Sequence, residues 1–131
     1  MQDAIFIAAP PGTSWPLDMH TLGRRLSDQL PDVHVSAPRQ AGSNGEDYID
    51  FQATVDGQLR TGSYFDRATL ILRDGPPELW ADTIVWFLRQ LPAAAAAVAM
   101  VESNPEQIAL VARTATAEDV RILLDQLADA G

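Results

Sequence analysis

The sequence predicts a single α+β domain over residues 1–131, built on a mostly antiparallel sheet with helices mainly on one face. Three observations support this prediction. Residues 76–91 repeat apolar side chains with the period of a helix. Residues 48–55 alternate apolar and polar side chains and run into Asp56-Gly57, the chemistry of a tight hairpin turn. A chain of 131 residues with 47% hydrophobic composition is long enough for one core and short for two.

The first third of the chain contains two strand patterns and one helix pattern. Residues 3–9 form an apolar run that ends at two prolines, which predicts a short buried strand. Asp18 is the predicted N-cap of a helix that ends before Pro31. The inward stripe of this helix is Met19, Leu22, Leu26 and Leu30. Residues 33–37 then alternate, with Val33, Val35 and Ala37 on one side, and predict a short strand.

A three-strand meander is predicted next. Residues 38–46 lack periodicity and are dense in turn formers, which predicts a loop. The strand that follows turns these side chains inward: Ile49, Phe51, Ala53 and Val55. The return strand covers residues 58–65, and the chain turns again at Asp66-Arg67. Residues 68–73 form a continuous apolar run that is typical of a central strand.

The helix at residues 76–91 is the strongest local pattern in the chain. Gly75 is placed to cap it, Pro76 suits its first position, and Pro92 ends it. Its apolar face consists of Trp80, Ile84, Phe87, Leu88 and Leu91, flanked by Leu79, Thr83 and Trp86. This arc spans roughly 200°, whereas packing on one sheet requires ~100°. The helix is therefore predicted to touch a second body, which is either a neighbouring helix or another chain.

The C-terminal part predicts a strand hairpin and a final helix. Residues 96–102 and 107–112 are the two strands, joined by an Asn-Pro turn. Thr116 and Asp119 resemble a capping box at the start of the last helix. The apolar residues of that helix are Val120, Ile122, Leu123, Leu124 and Leu127. The predicted order is strand, helix, strand, three-strand meander, helix, strand hairpin, helix.

Composition excludes several classes of function. The chain has no Cys, which excludes disulfides, thiolate metal sites and cysteine nucleophiles. It has no Lys, which excludes Schiff-base chemistry and the lysine of a P-loop. The formal net charge of −9 opposes binding to nucleic acid or to an anionic membrane, and it favours a basic partner or serves solubility alone. No apolar run approaches the ~18 residues of a membrane span, and the first residues lack a signal-peptide pattern, so a cytoplasmic location is expected.

Four segments of the chain carry a family resemblance: Val55-Asp56-Gly57, Leu70-Ile71-Leu72, the helix 76–91 and the helix 116–130. In the order of these elements, and in small size and acidity, the chain from Leu17 onward resembles the type III secretion chaperone-like fold group. The resemblance implies a non-enzymatic, often dimeric protein that holds an extended segment of a client against apolar surface. It also implies that Trp80 and Trp86 lie on the helix used in assembly. The strands at 3–9 and 33–37 depart from the group's pattern.

Candidates for catalysis and ligand binding are few. Residues 9–14 join a strand to a helix start, where phosphate sites are built, but they lack the lysine and the glycine spacing. His20 and His34 are the two imidazoles, so a zinc site would need both together with a carboxylate. A serine hydrolase would need Ser63 or Ser14 beside one of them, and the sequence has no G-x-S-x-G elbow. No metal ion and no cofactor are therefore predicted.

The leading hypothesis is a non-enzymatic, acidic protein-binding module. It is either chaperone-like or an inhibitor-type immunity protein that neutralises a basic effector. The predicted partner-binding residues, chosen because Trp and Tyr anchor interfaces or because they flank the helix face, are Leu79, Trp80, Trp86, Trp15 and Tyr48. A homodimer through Trp86 is one version of this hypothesis. The alternative is a small-molecule-binding or metal-binding pocket protein, or a weak enzyme, that uses His20 or His34.

Overall fold

The structure, a computed structural model, describes residues 4–30, 32–40, 46–55 and 57–129. Within these residues it contains eight strands and three helices. In chain order they are β1 (Ile5–Ala8), α1 (Met19–Gln29), β2 (His34–Val35), β3 (Arg39–Gln40), β4 (Asp47–Val55), β5 (Gln58–Phe65), β6 (Thr69–Leu72), α2 (Pro77–Arg89), β7 (Ala97–Val101), β8 (Ala109–Val111) and α3 (Ala117–Asp129). The predicted α+β class with an antiparallel sheet is confirmed.

The strands form one antiparallel sheet in the order β2-β4-β5-β6-β1-β7-β8, and β3 also pairs with β4. Strand β1 lies inside this sheet. It pairs with β6 on one side, where Ile7 is opposite Leu70, and with β7 on the other, where Ile7 is opposite Ala99. The N-terminal strand therefore joins the meander to the C-terminal hairpin through pairings between residues far apart in sequence.

The core lies between one face of the sheet and the three helices. Alternate strand residues point into it, among them Ile5, Ile7, Phe51, Tyr64, Leu70 and Leu72. Helix α1 packs against β2 and β4, and α3 packs against β7 and β8. Helix α2 packs along α3. The second body predicted to meet α2 is therefore a helix of the same chain.

Two of the helices begin at the caps that the sequence predicts. The carboxylate of Asp18 accepts the backbone N–H of Thr21 at 2.8 Å, and this bond lowers the pKa of Asp18 below its ordinary value of 3.8. At the start of α3, the Asp119 N–H donates to Thr116 Oγ1 and the Thr116 N–H donates to the Asp119 carboxylate, both at 3.1 Å. These bonds satisfy N–H groups that have no partner inside the helix.

The start of α2 differs from the prediction by one residue. Pro76, and not Gly75, is the N-cap, and Pro77 occupies the first helical position. Pro76 has ψ 168°, an extended conformation, because a residue before proline is kept out of the α region. Gly75 has another role, since a Cβ on it would lie 2.5 Å from Leu79 Cδ2 and 2.9 Å from Trp80 Nε1.

Several strand boundaries also differ from the prediction. The strand predicted at residues 33–37 is limited to β2, and Ala37 is exposed. The loop predicted at 38–46 contains β3, which pairs with the start of β4, so that part of the prediction is wrong. Gly57 has φ +77°, as the predicted hairpin turn requires. Asp56, residues 41–45 of the predicted loop, and Asp3 of the predicted first strand lie outside the described residues.

In the described part of the chain, no helix combines the length and the apolar character needed to cross a membrane.

Candidate partner-binding surface

The second face of the sheet, which points away from the helices, is the first part of this surface. Strand pairing places two rows of side chains on it. One row is Met100, Phe6, Ile71, Ser63 and Asp50, and the other is Leu110, Val98, Ala8, Thr69, Phe65 and Tyr48. The three helices of the described chain lie on the opposite face, where the core is. No helix of the described residues covers either row, and we call the two rows the open face; within it, Ser63 is buried by neighbouring side chains.

The open face changes in character from one end to the other. Toward β8 it is apolar: Phe6, Ile71, Val98 and Met100 are half-buried, and Leu110 is 75% exposed. Toward β4 it is polar and lines a hollow of about 450 Å³. In an antiparallel sheet with one face in water, the residues that point to the water are normally polar and alternate along each strand with apolar residues that point to the core. Contact with water alone therefore does not account for the apolar side chains at the β8 end of this face.

The polar end is held by a chain of hydrogen bonds. Arg73 Nη1 donates to Ser63 Oγ at 2.8 Å, and Ser63 Oγ donates to Asp50 Oδ1 at 2.6 Å. Arg39 Nε lies 3.4 Å from Asp50 Oδ2. Ser63 is 1% exposed. Its hydroxyl is bonded to a carboxylate and a guanidinium and not to a histidine, so these contacts satisfy a buried polar group and do not form a hydrolase triad.

The open edge of β8 is the second part of the surface. Strand β8 ends the sheet and, among the described residues, pairs with β7 alone. A groove of about 370 Å³ runs between β8 and α3. Its lining includes the exposed residues Leu110 and Ile122 and the buried residues Val111 and Val120. Three of the four exposed large apolar residues described, Ile108, Leu110 and Ile122, thus lie on or beside this edge.

The direction of the backbone groups at this edge follows from one hydrogen bond. The Glu102 N–H donates to the Ala4 carbonyl at 3.0 Å. In an antiparallel ladder the bonded side alternates residue by residue, so Ala97 and Ala99 bond toward β8, opposite Val111 and Ala109. The N–H and C=O of Leu110, between those two, therefore point away from β7 toward the open edge.

Acidic side chains flank the groove. Helix α3 has four carboxylates, on Glu118, Asp119, Asp125 and Asp129, and one guanidinium, on Arg121. Arg121 Nη1 is already paired with Asp125 Oδ2 at 3.2 Å. The loop between β7 and β8 adds Glu102 and Glu106, both exposed. Asn104 in that loop donates to the Leu127 and Ala128 carbonyls, both at 2.9 Å, and so fixes this acidic loop at the C-terminus of α3.

Two residues predicted to bind a partner are in the core, which corrects that prediction. Trp80 is 0% exposed and its Nε1–H donates to the Arg73 carbonyl at 3.1 Å. Trp15 is 2% exposed, donates to the Ala96 carbonyl at 2.9 Å and stacks beside Tyr64. For Trp80 the physical reason is that α3 and the sheet together enclose the apolar arc of α2. Trp15 precedes α1 and packs against the rings of Tyr64 and Phe87. Neither indole offers surface to another protein.

The other three predicted residues differ from one another in position. Leu79 and Trp86 are half-buried and pack against the core, so most of their apolar surface is used within the chain. A homodimer through Trp86 stays a prediction. Tyr48 lies on the open face and stacks on Phe65, with ring centroids 4.8 Å apart. Tyr48 is thus the predicted residue that the structure places on an uncovered surface.

The histidines of the alternative hypothesis are not brought together with acidic groups in a metal-binding arrangement. His20 lines a hollow beside α1, and His34 lines another with Arg39 and Asp50. Within residues 4–30, 32–40, 46–55 and 57–129, no group of three or more His, Asp and Glu side chains is arranged to hold a metal ion. A small-molecule site or a weak enzyme at His20 or His34 stays a prediction.

Sequence reasoning missed Ile108, Leu110 and Ile122 as candidate surface residues. One signal was present. At 100° per residue, Ile122 lies about 200° from Val120, on the far side of the stripe formed by Val120, Leu124 and Leu127. An apolar residue off the buried stripe of a helix is expected to be exposed. For Leu110 no comparable signal exists, because its exposure follows from β8 being the last strand of the sheet.

Comparisons with known proteins do not add a family. No family model matches the chain, and neither characterised proteins nor solved structures show a significant match to it. The resemblance to the type III secretion chaperone-like fold group therefore stays a prediction.

Proposed function

We propose that this chain is a non-enzymatic protein-binding module, and that the apolar end of its open face together with the β8 edge is the partner surface. The single observation that carries the proposal is the uncovered apolar row of Phe6, Ile71 and Met100, continued by Val98 and Leu110 to the edge of the sheet. A contiguous apolar area on a protein surface marks an interaction site more often than scattered apolar residues do.

The distribution of charge indicates the kind of partner. The net charge is −9, and acidic groups flank the β8 edge, whereas the apolar row itself is uncharged. A partner with basic groups around an apolar contact area would match both features. Such a pair associates faster at low salt, because opposite charges steer the encounter, and the apolar contact then limits dissociation. A basic effector held by an inhibitor and a client held by a chaperone both fit this description.

The test is an affinity capture from a lysate of the source organism with wild type and two variants. Ile71→Lys places a charge in the middle of the apolar row. Leu59→Lys makes the same change at a residue that is 61% exposed at the hairpin end of β5, and is the matched control. A protein retained by wild type and by Leu59→Lys but lost with Ile71→Lys supports the proposal. Retention by all three proteins, or no specific capture by wild type in low salt, contradicts it.

A further inference from the structure

We propose that the β8 edge binds an extended segment of the partner as an added strand, and that this segment combines apolar side chains on one side with Arg or Lys on the other. The inference rests on the proposed function, since it names how and with what chemistry the partner is held. It is carried by three independent features of the same edge: the direction of a backbone group, the shape of the groove and the sign of the charge.

The backbone feature is the outward N–H and C=O of Leu110. Because Ala109 and Val111 bond toward β7, Leu110 has one donor and one acceptor available to a strand laid beside β8. Strand addition to a free sheet edge uses main-chain bonds of this kind for affinity and alternate side chains for specificity. Long, flat apolar edges are normally protected by charge, proline or a covering element. On β8, Leu110 instead has a 75% exposed apolar side chain.

The groove determines which side chains of an added strand would be apolar. A strand paired with β8 directs every second side chain to the helix side of the sheet. There it meets the groove between β8 and α3, which is lined by the apolar residues Val111, Val120 and Ile122. A volume of about 370 Å³ accommodates a few branched aliphatic side chains. The remaining side chains point away from α3.

The charge determines the chemistry of those remaining side chains and disfavours a second copy of this chain as the occupant. Carboxylates lie at both ends of α3, and Glu106 lies in the loop fixed to its C-terminus. On the open-face side, Arg or Lys side chains are long enough to cover Leu110 with their aliphatic stems. The exposed carboxylates of Glu102 and Glu106, in the loop beside this edge, and the net charge of −9 favour positive charges there. Pairing of β8 with β8 of another copy would instead bring two acidic α3 helices together, which like-charge repulsion opposes.

The test uses a fluorescein-labelled peptide in which Val alternates with Arg over about eight residues, titrated by fluorescence anisotropy against the intact chain. We expect saturable binding that weakens as salt is raised. Two control peptides test the charge and the main-chain bonds separately. In the first, Glu replaces Arg, which reverses the charge. In the second, N-methylation of alternate amides removes the donors that would pair with an edge strand, while the side chains stay unchanged. Each control peptide should bind at least about tenfold more weakly, or about 1.4 kcal/mol.

Variants of the chain test the location. Leu110→Pro removes the outward N–H without removing a ladder bond, because proline is tolerated where the N–H faces solvent. Leu110→Ala keeps that N–H and is its matched control. We expect affinity to fall about tenfold more for the proline than for the alanine variant, and Ile122→Lys to weaken binding by a similar factor. Circular dichroism and thermal unfolding verify that each variant is folded, and Ile122→Lys tests the site even if the proline variant unfolds.

Several outcomes would overturn the inference. They are the absence of saturable binding to wild type, equal binding of the N-methylated peptide, and equal binding by Ile122→Lys. A wild-type dimer by light scattering that Leu110→Pro converts to monomer would identify a second copy as the occupant and would also overturn it. If the peptide fails while a lysate protein is still lost with Ile71→Lys, the strand-addition mode fails and the proposed function stands. If Ile71→Lys has no effect on capture, the proposed function fails independently of the peptide.

Discussion

Phe51 on β4 lies directly across Gly62 on β5, so closely that a Cβ on Gly62 would sit 2.4 Å from Phe51 Cζ. The same Cβ would be 2.8 Å from the backbone carbonyl of Ile71 on the other neighbouring strand. The phenyl ring thus occupies the space that a side chain on Gly62 would fill. This contact lies in the core below the open face and holds the middle of the meander together.

Gly62→Ala is therefore expected to destabilise the fold by about 2–3 kcal/mol, because overpacking displaces a buried ring and a strand backbone. The measurement is the free energy of unfolding in urea. Gly23→Ala in α1 is the control: its Cβ would make ordinary contacts at 3.4 Å from Ile49 and Val35, and alanine favours a helix by up to about 1 kcal/mol. Equal effects of the two substitutions would contradict the packing described.

Trp80→Ala is expected to cost about 3–5 kcal/mol, because it removes a fully buried indole and leaves a cavity. Trp86→Ala should cost clearly less, since Trp86 is half-buried at the edge of the core. Urea unfolding of both variants measures the difference.

Light scattering of wild type and Trp86→Ala tests the predicted homodimer. A wild-type dimer that Trp86→Ala converts to a folded monomer would support the homodimer, and a monomeric wild type eliminates it.

Asp18→Ala is expected to cost about 1 kcal/mol at neutral pH through loss of the N-cap of α1. The pKa of Asp18 is lowered because its carboxylate accepts the Thr21 N–H. The stabilisation by this cap is therefore fully present above 3.8, the ordinary pKa of the group, and is lost as the pH falls through the lowered pKa of the folded state. The stability difference from wild type should then be constant from about pH 7 to about pH 5 and shrink in stronger acid. The exposed Asp28→Ala in the same helix removes a carboxylate that is not at the cap; it is the control and should show no comparable cost at neutral pH.

Ser63→Ala is expected to destabilise the fold by about 1–3 kcal/mol, because Asp50 loses a donor and Arg73 loses an acceptor at a buried position. Thr54→Ala, at an exposed position of β4, should change stability little. Thermal unfolding of the two variants tests this expectation. A Ser63→Ala protein as stable as wild type would show that the bonds among Arg73, Ser63 and Asp50 do not support the sheet.

The sequence by itself determined the features that depend on neighbouring residues. Asp18 and Thr116 cap their helices through bonds that reach three residues along the chain, and Gly57 permits the turn that its φ requires. Alternation along β4 assigned Ile49 and Phe51 to the core side. Such features are local, because the interacting groups are held close by the chain itself.

Only the tertiary structure decided which surfaces are covered. The apolar arc of α2 contains too much apolar surface for one sheet to cover. The sequence pattern alone allows either a neighbouring helix or another chain to cover the rest. In the structure α3 packs along α2, and Trp80 is enclosed within the molecule. The place of β1 between β6 and β7, and of β8 at the edge, likewise depends on pairings between distant residues. Exposure is a property of those pairings, so the open face and the edge at Leu110 could not be recognised before the strands were ordered.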